Sequence, residues 1–236
     1  MESILFSTYG NSPALQFARN ALQSWGYGVC EKYEEATHIL LPVPSFDEDG
    51  NVKGGNKLPS IGKDVTLMGG NLQQYDGKKV DFLQDRYYLE ENAAITARCA
   101  LKYARIRPGY KVLVIGWGRI GKHLSRLLTE KEAAVTVAVR KEQDYQALTA
   151  LGFRAVYLMD LKPMEFDAVF NTAPASVLFS GECRADAELI DLASVKGIFG
   201  KGVICARGLP SKDAPEESGL LMAKTALRYA LRKELR

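Results

Sequence analysis

Histidine is nearly absent from this chain of 236 residues, with only His38 and His123 present. Two histidines set far apart leave little room for a metal site or for catalysis built on an imidazole base. Cysteine is also scarce: Cys30, Cys99, Cys183 and Cys205 lie far apart, with no CxxC pair. Such cysteines are expected to be buried small apolar residues in a reducing compartment. No run approaches the roughly 20 apolar residues of a membrane span. There is no excess of charge of one sign either. Lys and Arg number 31 against 28 Asp and Glu, a dispersed net charge of +3 that argues against a nucleic-acid partner. Glu2 stands where a secretory leader would carry Lys or Arg, and no long apolar core follows. These absences predict a cytoplasmic chain with no metal, membrane or nucleic-acid partner.

What is present looks globular: 47% apolar and 25% charged residues, enough for one large domain or two small ones. Up to residue 88 the elements are short and the loops rich in Gly and Pro. Short apolar runs stand at 4–7, 39–43 and 65–68, and a helix is expected over 13–25 with Leu15, Ala18, Leu22 and Trp25 on one face. Residues 44–57 read as a long loop or hairpin. A helix is expected over 89–106, with Glu90 and Glu91 near its start and Lys102, Arg105 and Arg107 near its end, the order the helix dipole favours.

Strands and helices then alternate. Strands are expected at Lys111–Ile115, Ala134–Val139, 155–158, Ala168–Asn171, 189–192 and 203–206, and helices at Arg119–Glu130 and 142–151. Strands apolar on both faces imply a parallel sheet covered on each side. A last helix, 214–236, places Pro215, Glu216 and Glu217 at its start and Arg232, Lys233 and Arg236 at its end. Leu220, Ala223, Leu227 and Leu231 form its expected apolar face. The expected fold class is α/β: a Rossmann-type doubly wound parallel sheet in 89–213 and a smaller α/β domain in 1–88, on which helix 214–236 can pack.

The strand KVLVI runs straight into Gly116-Trp117-Gly118-Arg119-Ile120-Gly121, a G-x-G-x-x-G that opens a helix. In that context the motif binds a dinucleotide. Gly116 makes the tight turn, Gly118 lets the backbone approach a pyrophosphate, and Gly121 packs the helix close to the strand. The diphosphate then lies at the helix amino terminus, where free N–H groups and the dipole favour anions. An NAD-binding chain places Asp or Glu about 20 residues further on, against the ribose 2′-OH. Here Arg140 and Lys141 stand at that point, which suits the 2′-phosphate of NADP. Glu142 and Asp144 keep NAD open, and a solvated helix start is the other reading of the two cations.

A hydroxyacid dehydrogenase needs an acid/base near pH 7, usually a histidine held by a carboxylate. His123 sits too close to the phosphate end, and no histidine lies beyond it. That reaction class fails on inventory.

Three further segments carry a pattern. Asn171-Thr172-Ala173-Pro174 follows the strand DAVF, residues 189–194 read LIDLAS, and residues 207–218 read RGLPSKDAPEES and continue into Gly219. With VIGWGRIG they resemble the A-subunit family of dipicolinate synthase, in which N-T-x-P, D-L-A-S and G-L-P-x-x-x-A-P-x-x-A-G occur in this order at similar spacing. Residues 37–44, THILLPVP, resemble an I-L-P-V run in the family's first domain.

The resemblance implies a flavodoxin-like first domain joined to a Rossmann domain. It also implies NADP as cofactor and, as partner, a flavoprotein of the dipicolinate synthase B-subunit type. The implied activity, in sporulation, is formation of pyridine-2,6-dicarboxylate from a dihydrodipicolinate-type precursor. On these segments, Asn171, Thr172, Ala173 and Pro174 are expected at the cofactor and Asp191 and Ser194 near the nicotinamide as catalytic candidates. Arg207 and Lys212 are expected at a small dicarboxylate, which cations bind through charge-assisted hydrogen bonds.

The chain departs from the family in places. Glu91-Asn92-Ala93-Ala94 stands where the family tends to carry T-x-E-G, Ser194-Val195-Lys196-Gly197-Ile198 where it has S-R-P-G-G, and Arg207 where it more often has a small residue or Pro. Two alternatives stay open: a non-catalytic NAD(P)-binding paralogue or partner protein, and an NADP reductase of another small carboxylate. A homo-oligomer is compatible with the sequence.

Overall fold

The computed structural model describes residues 4–234, with side chains to 231. Glu2 and Arg236 lie outside the described residues, as do the side chains of Arg232 and Lys233. The chain divides into two compact units. Residues up to Asn92, together with those from Pro210 onward, form the first, and Ala93–Leu209 form the second.

In chain order the early elements are β1 (Leu5–Thr8), α1 (Pro13–Ser24), β2 (Gly28–Val29), β3 (His38–Leu40), β4 (Thr66–Gly69), β5 (Lys79–Asp81) and α2 (Arg86–Ala100). Next come β6 (Lys111–Ile115), α3 (Arg119–Glu130), β7 (Ala134–Val139), α4 (Glu142–Ala150), β8 (Arg154–Tyr157) and β9 (Ala168–Asn171). The rest are β10 (Leu178–Phe179), β11 (Glu188–Asp191), β12 (Ile198–Phe199), β13 (Val203–Cys205), α5 (Leu209–Asp213) and α6 (Pro215–Glu234).

The first unit holds a five-stranded parallel sheet in the order β2-β1-β3-β4-β5, the flavodoxin-like order. Ile39, Leu41, Leu67 and Leu72 pack with Val52 from the long loop, which closes on itself through an antiparallel bridge between Phe46 and Val52. α6 lies against α1 in the same unit. The contact is close because Gly219 has no side chain: a Cβ there would strike the Ala14 carbonyl and stand 2.6 Å from the Phe17 Cβ. This gives the glycine at the end of the G-L-P segment a packing role.

Two expectations about helices are corrected here. The buried face of α6 carries Leu221, Met222, Thr225, Ala226 and Ala230, with Ala223, whereas Leu231 is exposed. Gly219 is what lets α1 and α6 come this close. α2 begins at Arg86, so Glu90 and Glu91 fall outside its first turn. Asp85 starts it, accepting the Tyr88 N–H at 2.7 Å. It also accepts Arg228 Nη2 at 2.7 Å and the Tyr229 hydroxyl at 2.8 Å from α6. Burial alone would raise the Asp85 pKa, but the Arg228, Tyr88 and Tyr229 hydrogen bonds and the Arg228 charge outweigh it and hold it below the ordinary carboxylate value.

The second unit holds a six-stranded parallel sheet in the order β13-β11-β9-β6-β7-β8. Counted within the unit this is 6-5-4-1-2-3, the Rossmann order. α3 and α4 make the crossovers between β6, β7 and β8. The later crossovers carry no α-helix; short 3₁₀ turns and the parallel pair β10–β12 take their place. Leu178 and Ile198 of that pair are buried with Leu113, Ile115, Val169 and Leu189. The cysteine expectation holds for Cys99 and Cys183, which are buried, and fails for Cys205, exposed on the edge strand β13. Among the described residues no helix is long and apolar enough to cross a membrane.

Candidate nucleotide site

β6 ends at Ile115 and α3 begins at Arg119, so the glycine hexamer joins strand to helix. Gly116 adopts φ +101°, and a Cβ there would lie 2.8 Å from Thr172 Oγ1. A Cβ on Gly121 would strike the Gly116 carbonyl oxygen, so the helix can approach the turn only without one. A Cβ on Gly118 would meet nothing within 4 Å: that side of the loop is open. The α3 amino terminus has no side-chain cap and no carboxylate in its first turn. Its orphan N–H groups and positive dipole end are therefore left to an external anion.

Neighbours hold the loop in place. Trp117 is buried edge-on against Phe153, with ring centroids 5.5 Å apart. The Thr172 hydroxyl donates to the Ile115 carbonyl at 2.9 Å.

A cavity of about 220 Å³ opens beside the loop, lined by Gly116, Trp117 and Gly118, by Ala138, Val139, Arg140, Lys141 and Asp144, by Leu158, and by Thr172, Ala173 and Pro174. This is below the roughly 300–1,000 Å³ of a complete small-ligand pocket, so it fits one end of a dinucleotide. The glycine turn stands on one side and the two cations at the end of β7 on another. Arg140 and Lys141 are exposed, and neither forms an ion pair among the described residues.

Of the residues expected at the cofactor, Arg119, Ile120, Gly121 and Asn171 do not line the cavity. Gly121 acts beneath the turn. Arg119 is exposed and Ile120 half-buried on the first turn of α3. Asn171 is fully buried. Its amide donates to Asp191 Oδ1 at 2.9 Å and to the Ala173 carbonyl at 3.1 Å, while its oxygen accepts the Ala173 N–H at 3.0 Å. Both amide hydrogens and one lone pair of its oxygen go to protein groups at the ends of β9 and β11, so the structure places Asn171 in the protein interior and not in the cavity lining.

Asp191 belongs to the same hydrogen-bond network. It is fully buried. Oδ1 accepts Asn171 Nδ2 and the Ala193 N–H at 3.2 Å; Oδ2 accepts the Gly197 and Ile198 N–H groups at 2.7 and 3.1 Å. With both oxygens saturated from inside the protein, it ties the ends of β9 and β11 to the loop leading into β12. Gly197 is part of that knot, since a Cβ there would collide with Asn171 Nδ2. Ser194 is exposed on the same loop. Arg207 is exposed, and its Nε donates to the Ala193 carbonyl at 3.0 Å. Lys212 lies on α5 in the other unit.

Sequence reasoning missed one cluster beside the cavity. Glu142 Oε1 accepts Gln146 Nε2 at 2.8 Å, and its Oε2 accepts the Tyr157 hydroxyl. Tyr157 stacks on Tyr145, with centroids 4.6 Å apart and planes at 10°. The bond to Glu142 is the main reason the Tyr157 pKa is pushed up to about 12. The Gln146 contact follows i,i+4 helix spacing; nothing in the sequence signals the pairing of α4 with β8.

Strand order and loop together define an α/β fold with a Rossmann unit. No protein-family model matches the chain, and no curated protein matches it by sequence. Solved structures do. The dipicolinate synthase A-subunit from Bacillus halodurans superposes with a TM-score of 0.81 at 19% identity, covering 96% of this chain and 97% of that one. The A chain of dipicolinate synthase from Bacillus subtilis gives 0.82 at 17% identity, covering 100% and 98%. A transhydrogenase from Sinorhizobium meliloti gives 0.68 at 12% identity, covering 97% and 94%. Over nearly its whole length the chain has the fold of these two dipicolinate synthase chains.

Proposed function

We propose that the chain is an NADP-dependent oxidoreductase of the dipicolinate synthase A-subunit kind, acting on a cyclic dicarboxylate of the dihydrodipicolinate type. The observation that carries this reading is a G-x-G-x-x-G turn on the first strand of a Rossmann sheet, with two cations at the end of the second strand that form no ion pair among the described residues.

Gly116 to Gly121 and the α3 amino terminus would hold the diphosphate. Arg140 and Lys141 would hold the 2′-phosphate, and Thr172, Ala173 and Pro174 would form the facing wall. Bound NADP supplies a hydride acceptor, and a dihydropyridine that gives up a hydride and a proton becomes the aromatic pyridine-2,6-dicarboxylate. Gain of aromaticity lowers the need for a strong base, which agrees with an Asp191 fully engaged inside the protein. Arg207 is the cation of this unit proposed for the dicarboxylate, and a flavoprotein of the B-subunit type is the proposed partner.

A second reading is an NAD(P)-binding protein without turnover. It is favoured by the lack of an acid or base in the cavity lining beyond Asp144, Lys141 and Arg140.

The test is the absorbance of reduced cofactor when the chain meets dihydrodipicolinate and NADP, with and without the flavoprotein partner. Reduction is expected. Binding of NADP with no reduction in either arm selects the second reading, and absence of binding removes both.

A further inference from the structure

We infer that Tyr157 is a positioning residue for cofactor choice: by holding the Glu142 carboxylate it keeps Arg140 and Lys141 available to a 2′-phosphate. The inference rests on the NADP reading and deepens it.

Glu142 follows Lys141 directly and opens α4. A carboxylate so placed would be expected to pair with the two cations or to face the ribose, and either would disfavour a phosphate dianion. The structure shows neither. Arg140, Lys141 and Asp144 line the cavity, but Glu142 does not. Both Glu142 oxygens are engaged, one by Gln146 and the other by Tyr157.

Tyr157 ends β8, and its ring is fixed face to face with Tyr145. The stack sets the ring, the ring sets the hydroxyl, and the hydroxyl sets the carboxylate. A tyrosine hydroxyl is protonated and so a donor at neutral pH, and the bond to Glu142 pushes its pKa further up, to about 12. NADH has no 2′-phosphate, so loss of this arrangement should fall on NADPH alone. A merely structural role for Tyr157 would weaken both nucleotides together.

The experiment is fluorescence titration of the full chain with NADPH and with NADH, for the wild type, Tyr157→Phe, Glu142→Gln and the double variant. Tyr157→Phe should lower the preference for NADPH over NADH about tenfold, the low end of what one hydrogen bond to a charged group is worth. Glu142→Gln alone should change the ratio less than about twofold, and adding it to Tyr157→Phe should restore the wild-type ratio, as expected of coupled neighbours. Gln146→Ala, at an exposed helical position, should give a smaller drop in the same direction, and it carries the test if Tyr157→Phe fails to fold. An unchanged ratio in these variants, or equal loss of both nucleotides, overturns the inference while wild-type NADPH binding stands. A wild type that binds neither nucleotide removes the underlying reading instead.

Discussion

Replacing Asp191 tests whether the buried carboxylate at the end of β11 organises loops or acts on a ligand. Its side chain is fully buried and accepts hydrogen bonds from the Asn171 amide and from the Ala193, Gly197 and Ile198 N–H groups. Asp191→Ala leaves four donors without their acceptor. A buried donor without a partner costs roughly 1–3 kcal/mol. Asn171 keeps its bond to the Ala173 carbonyl, and water can reach a loop, so the lower end applies. The sum is about 4 kcal/mol, or a fall of roughly 10–20 °C in the midpoint of the unit that carries β9 and β11. Asp191→Asn keeps one acceptor oxygen and turns an NH₂ toward the other donors, so it should cost about half as much. Scanning calorimetry beside cofactor reduction reads both effects. An Asn variant with the wild-type midpoint and no cofactor reduction would refute the reasoning, because Asp191 would then act on the reacting molecule.

Arg140→Asp should weaken NADPH binding about 30-fold and leave NADH within about twofold, as titration calorimetry would show. Gly121→Ala drives a methyl group into the Gly116 carbonyl. It should cost about 1–3 kcal/mol in urea unfolding, and by distorting the phosphate turn raise the nucleotide Kd at least about tenfold. Asp85 sits below the ordinary carboxylate value in the folded protein, so its stabilisation is present above about pH 4 and is lost as pH falls below it. The urea midpoint of the first unit should therefore fall between about pH 5 and about pH 3 more steeply in the wild type than in Asp85→Asn.

Much of the second unit was legible because its strands are continuous apolar runs. Lys111–Ile115, Ala134–Val139 and Ala168–Asn171 fall where the sequence places them, as does helix Arg119–Glu130. β2, β10 and β12 are two residues long and β5 three. A run that short has no period to read, and its pairing is decided by distant partners. The start of α2 was misplaced because its cap, Asp85, is recognised by Arg228 and Tyr229 far along the chain. The glycine turn was visible because its geometry is local: Gly116 and Gly121 each stand where a Cβ would collide. The hydrogen-bond partners of Asn171 and Asp191 were not. Polar residues at strand ends suggest ligand contacts, and only the fold shows that these two bond to each other. The Glu142–Tyr157 pair was hidden for the same reason.

Calorimetric titration of the wild-type chain with NADPH and NADH measures whether the glycine turn seats a dinucleotide. One saturable site per chain, tighter for NADPH than for NADH and weakened at least about tenfold by Gly121→Ala, is the predicted outcome. Binding of neither nucleotide, or binding that survives Gly121→Ala unchanged, would contradict it.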